Sequence, residues 1–123
     1  MAHFIREHDM NTFYTSHREE WRAWLSANFD KEKEVWFVFP MKAAGEEALS
    51  YNDAVEEALC FGWIDGVIKH IDPTHRAQRF TPRRPGSPYS RPNIERLIWL
   101  EEQKLIHPSI RERVLSIIKA PYL

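Results

Sequence analysis

A chain of 123 residues, 43% hydrophobic and 28% charged, has room for one core and is too short for two full domains. Its single cysteine excludes an intrachain disulfide and any multi-cysteine zinc site. The net charge of −1 excludes a globally basic nucleic-acid binder, yet it is unevenly spread: residues 1–64 carry 6 Lys/Arg against 12 Asp/Glu, and residues 65–91 carry 6 against 2.

The N-terminal stretch MAHFIREHDMNTFY is polar and reads as a short lead with no apolar signal-peptide core. The longest apolar run, Val35 to Phe39, falls far short of the ~20 residues of a membrane helix, so the expectation is a soluble, cytoplasmic protein without membrane insertion. Ser16-His17-Arg18-Glu19 has the form of a capping box. It predicts a helix over 17–28, with Trp21, Trp24, Leu25 and Phe29 on one buried stripe. The charged run 30–34 reads as a solvated turn. Val35-Trp36-Phe37-Val38-Phe39 is β-rich and continuously apolar, the pattern of a strand buried on both faces.

Ser50 and Asp53 form a second capping pair and predict a helix over 51–61. Tyr51, Ala54, Val55, Ala58 and Leu59 would face the core, and Asp53, Glu56, Glu57 and Cys60 the other side. Gly62 can take the left-handed conformation that closes this helix. Ile64-Asp65-Gly66 then reads as a turn into a strand over 67–72, with residues 79–83 returning as an antiparallel partner that Pro82 confines to an edge or an end. Pro85 to Ser90 is loop. Ser90 caps a third helix with Ile94, Leu97, Ile98 and Trp99 on its apolar side, and Pro108 starts a fourth that Pro121 ends. These elements predict a single small α+β domain over residues 1–123, about four helices packed on a short antiparallel sheet of about three strands.

Several residues invite a chemical reading. Cys60 lies at the C-terminal end of its helix after Glu56 and Glu57, where both the helix dipole and the carboxylates favour the neutral thiol over a nucleophile. The six histidines lack metal-ligand spacing, so no metal and no cofactor is expected. Asp65 and Asp72 form a conceivable acid–base pair, although Asp-Gly and Asp-Pro are also plain turn chemistry. Trp63 is either core or the wall of a pocket. The strongest feature is the arginine cluster, Arg76, Arg79, Arg83, Arg84 and Arg91, with Lys69 nearby. Guanidinium groups present planar paired donors that fit phosphate or carboxylate. Arg79, Thr81 and Arg83 would project from one strand face, and Ser87, Ser90 and Asn93 would add neutral donors. The alternative is a solvated face salt-bridged to the acidic first half.

The run EALCFGWIDG at 57–66, followed by Lys69, Asp72, Arg79-Phe80-Thr81-Pro82-Arg83-Arg84-Pro85, Ser87-x-Tyr89-Ser90 and Asn93-x-x-Arg96, resembles the YdeI/OmpD-associated family. Trp21-Arg22-x-Trp24-Leu25 and Val35-Trp36 also sit where its members have them. The resemblance implies a bacterial bacteriocin-protection or stress-resistance protein, a description of phenotype rather than chemistry. Longer members continue into a helical C-terminal region with a basic segment, and this sequence ends at Leu123 before it.

Three functions compete on these residues. The first is a module that binds a small anionic ligand or partner through Trp63, Asp65, Lys69, Arg79, Arg83, Arg84, Ser87, Ser90 and Asn93. The second is a small enzyme using Asp65, Lys69 and Arg83 beside Trp63, and the third a weak nucleic-acid binder.

Overall fold

The chain turns back on itself through one mixed β-sheet, as a computed structural model describes for residues 3–7 and 10–120. The strands are β1 (His3–Glu7), β2 (Met10–Tyr14), β3 (Val35–Pro40), β4 (Trp63–Asp72) and β5 (His75–Pro82), in spatial order β1-β2-β3-β5-β4. The helices are α1 (Arg18–Asn28), α2 (Tyr51–Cys60), α3 (Arg91–Glu102) and α4 (Pro108–Lys119). The α+β class and the four helices agree with the sequence reading. His8 and Pro121 lie outside the described residues.

The sheet departs from expectation in two ways. The N-terminal stretch is a hairpin, β1 antiparallel to β2, rather than a polar lead. Of β2 only Phe13 is buried, too thin a signal for alternation to reveal a strand. The sheet is also not wholly antiparallel: β2 and β3 run parallel, because α1 carries the chain back to the starting end of the sheet.

The expected strand Val35–Phe39 is there and buried, with Trp36 only 5% exposed. Its neighbour β5 pairs with it antiparallel, Val35 opposite Phe80 and Trp36 opposite Arg79. Asp65-Gly66 is not a turn. It lies within β4, where the register against β5 shifts between Asp65 and Ile68, and the chain reverses later, at Pro73-Thr74. There Asp72 Oδ1 accepts the Thr74 amide at 2.9 Å.

The core packs Trp21, Trp24 and Leu25 of α1 and Ala54, Val55, Ala58 and Leu59 of α2 against Phe37, Phe80 and Trp63 of the sheet. Trp21 meets Phe37 edge-on at 4.8 Å and stacks on Trp24 at 5.6 Å. Ser50 and Ser90 cap α2 and α3 as expected, accepting the amides of Asp53 and Asn93. The capping box at Ser16 does not form. His17 is the N-cap of α1, Thr15 takes the polar contacts with His17 N and Glu20, and Ser16 Oγ reaches Glu47 instead.

Helix α2 is buried around more of its circumference than its pattern predicts. Glu56, Glu57 and Cys60 are buried, because α1 covers the side expected to face water. Tyr51, expected inward, is 46% exposed, and Trp99 is exposed as well. Gly62 closes the helix at φ +74°, and a Cβ there would meet Ile110 Cδ1 at 2.8 Å, so both conformation and packing require glycine.

Candidate functional site

The residues after β5 form a loop tied down at both ends. The Arg83 amide donates to Gly62 O at 2.9 Å, hooking the loop to the close of α2, and Ser90 ends it as the N-cap of α3. Between them, Ser87 Oγ donates to Arg84 O at 2.8 Å, and Gly86 takes φ +83°. Pro85 and Pro88 restrict the rest of the backbone. This loop, the end of β5, the bulged part of β4 and the first turn of α3 enclose an open cleft of about 680 Å³.

Seven of the nine residues singled out from the sequence line it: Asp65, Arg79, Arg83, Arg84, Ser87, Ser90 and Asn93. The other two do not. Trp63 is 1% exposed, its indole Nε1 donates to Phe29 O at 3.1 Å, and its ring meets Trp24 edge-on. It is core. Lys69 lies farther along β4 with its ammonium 5.0 Å from the centre of the Trp36 ring. The grouping of Asp65, Lys69 and Arg83 beside Trp63 is therefore not assembled, and neither is the expected convergence of Lys69 with Arg79 and Arg83.

The cations of the cleft differ in how they are held. Arg79 Nε donates to Glu34 Oε1 at 2.6 Å, a surface ion pair of the kind the solvated-face alternative predicts. Arg83 stacks its guanidinium 3.7 Å from the centre of the Tyr89 ring, which fixes the plane of its fork. Burial raises the pKa of Tyr89 against the opposing pull of Arg83, so the phenol stays neutral beside the arginine. Arg84 has no carboxylate or hydrogen-bond acceptor among the described residues, nor does Lys33, which reaches the cleft from the turn before β3. Lys33 was not distinguishable in sequence from the other charges of 30–34.

The neutral lining groups are chiefly donors. Asn93 spends its amide oxygen on Arg96 Nη1 at 2.8 Å, which leaves its NH₂ to offer. Arg96 in turn donates to Asn52 Oδ1 at 3.0 Å and lies 6.0 Å from the Tyr51 ring. Asp65 is the one acid of the lining. Its Oδ2 accepts the Tyr51 hydroxyl at 2.6 Å. Burial first, and then that hydrogen bond, push the Tyr51 phenol up to about 12, so it remains a donor throughout the physiological range. Tyr51, Tyr89 and Arg96 were missed as site residues because neither a partner nor a face is visible at their spacing.

Of the residues weighed for catalysis in the sequence, Cys60 and Asp72 lie outside the cleft. Cys60 is fully buried, and burial, then the charge of Glu57, push its thiol up to about 11 against the pull of Arg22. Asp72 is bound at the β4–β5 turn to His75, whose other nitrogen meets Glu46. Among the described residues no three His, Cys, Asp or Glu side chains are grouped as metal ligands would be. No helix among them is long and apolar enough to cross a membrane.

A family model matches residues 13–113, nearly all the described elements. The chain belongs to DUF8412, a domain of unknown function. No curated protein and no solved structure matches it. The matched span holds the whole cleft, from Lys33 to Asn93.

Proposed function

We propose that this DUF8412 domain is a binding module that holds a small anionic ligand in the cleft between the β5 end, the 83–90 loop and the start of α3. One observation carries the reading: Arg84 and Lys33 line a concave site without an acceptor among the described residues, beside an Arg83 whose fork is already fixed on Tyr89. Leaving two cations unpaired while Arg79 nearby is paired reserves their donors for something that arrives from solution. The side-chain amide of Asn93 adds a neutral donor in the same cleft, whereas the Ser87 hydroxyl proton is spent on Arg84 O. An acidic side chain in the lining and the small number of unpaired cations favour a compact anion over a nucleic-acid backbone.

The resemblance to the YdeI/OmpD-associated family supports reading such a module in a cytoplasmic protective or stress-resistance role, with the ligand as the signal or cargo. The test is titration calorimetry of the full chain with inorganic phosphate and pyrophosphate. Arg84→Ala should weaken binding about tenfold or more, the loss of one charge-assisted contact, and leave the thermal midpoint unchanged. Arg84→Lys should restore part of it, because a point charge lacks the planar fork. Moderate salt should weaken binding only slightly, whereas a steep fall with salt would favour the nucleic-acid reading. Absence of binding to the wild-type chain, or equal binding by Arg84→Ala, would overturn the proposal.

A further inference from the structure

The acid in this cleft is not there to neutralise the arginines. Asp65 lines the same cleft as Arg79, Arg83 and Arg84, yet no ion pair joins it to any of them among the described residues. Its carboxylate is instead held by Tyr51 on Oδ2, and Oδ1 has no donor among the described residues. Tyr51 is positioned by the first turn of α2, close to Arg96. An acceptor with one oxygen fixed and the other open is thus kept apart from cations that also have open donors. In a site selected for an anion alone, a carboxylate is a liability, because its charge repels the ligand. Its retention in an oriented, unneutralised state has a simple account if the ligand carries a cation as well.

Resting on the anion-binding reading above, we infer that the cleft recognises a zwitterion: an anionic phosphate or carboxylate on the Arg84 side and a primary amine on Asp65 Oδ1. A single open oxygen matches a single-point donor such as an ammonium better than a vicinal diol, which needs both oxygens of a carboxylate. An ammonium also brings a full positive charge to the carboxylate, which a neutral hydroxyl does not. Ile64, Pro82 and Pro88 also line the cleft and supply apolar surface suited to a carbon chain that joins the two charged groups. The size of the cleft accommodates a ligand larger than the two charged groups alone.

The test compares aminoalkyl phosphates of two to six carbons with alkyl phosphates of the same length, by calorimetry on the full chain. At the best length the wild type should prefer the amine by about tenfold. Asp65→Asn should abolish that preference while binding the alkyl phosphate as well as before, or slightly more tightly, because a repelling charge has gone. Tyr51→Phe should reduce the preference, since Asp65 keeps its charge and loses its anchor. Arg84→Ala should weaken both ligand series together. Parallel titrations with ω-amino acids and simple alkanoates decide whether the anionic pole is phosphate or carboxylate. No preference for the amine at any length, or an Asp65→Asn variant that loses both series equally, would overturn the inference and leave simple anion binding standing. Failure of every anion to bind would remove both.

Discussion

Two groups of arginines show opposite uses of the same side chain. On α1, Arg18 reaches three carboxylates of α2: Nη1 to Asp53 at 2.9 Å, Nη2 to Glu56 at 2.8 Å, and Nε to Glu57. Arg22 adds Glu57 at 2.9 Å and the Leu105 carbonyl at 2.7 Å. Glu57 is 3% exposed and has both arginines on it, so its charge is already met within the protein. In the 83–90 loop, by contrast, Arg83 rests on an aromatic ring, and Arg84 has no acceptor among the described residues. The difference teaches that the meaning of an arginine lies in its acceptors. Three carboxylates of the acidic half bind α1 to α2, Glu34 takes Arg79, and among the described residues none of that half pairs with Arg83 or Arg84.

The comparison breaks most visibly at Glu57. Its replacement by alanine should leave Arg18 with Asp53 and Glu56 and take the carboxylate from Arg22, which keeps the Leu105 carbonyl. Removing one partner of a buried pair costs ~3–5 kcal/mol. Because both arginines are about a third exposed, solvent screening brings the expectation to about 2 kcal/mol. A urea midpoint that falls while phosphate affinity stays level would confirm that the first network is structural only. A loss of affinity as large as that of Arg84→Ala would join the two regions and sink the contrast.

A middle-sized effect concerns Cys60, next to that network. With its thiol pushed up to about 11, alkylation of the folded chain should be slow at neutral pH and should rise steeply only above pH 9. The sign for stability follows. The unfolded thiol ionises first, so stability attributable to Cys60 is complete below the ordinary thiol range and is lost as pH climbs towards 11. Cys60→Ala should bind the anion as the wild type does. Fast labelling at pH 7 in the folded chain, with binding lost in the alanine variant, would restore the nucleophile.

The smallest effect separates the arginines of the cleft itself. Arg79 is paired to Glu34 on the surface, and such pairs contribute ~0.2–1 kcal/mol. Arg79→Ala should therefore cost little stability and change phosphate affinity less than Arg84→Ala does. Equal losses at 79 and 84 would mean that Glu34 releases Arg79 to the ligand.

Much of this protein was legible because its signals are local. The caps at Ser50 and Ser90, the glycine stop at Gly62, the apolar run of β3 and the proline starts of α3 and α4 each depend on residues within one turn of each other. The clustering of arginine with proline also located the cleft, and seven of nine residues named for it line one wall. What stayed hidden was pairing across the chain. Nothing local tells that Trp63 is covered by Trp24, that Lys69 lies over Trp36, or that Lys33 swings into a cleft built 30 to 60 residues later. Nor does periodicity reveal β2, whose strand exists because β1 and β3 flank it. The sequence by itself determined the elements and the place of the basic loop, since propensity, capping and composition act within a few residues. Only the tertiary structure decided which charges are spent and which stay open, because an ion pair is a contact between distant residues whose partners are chosen by packing.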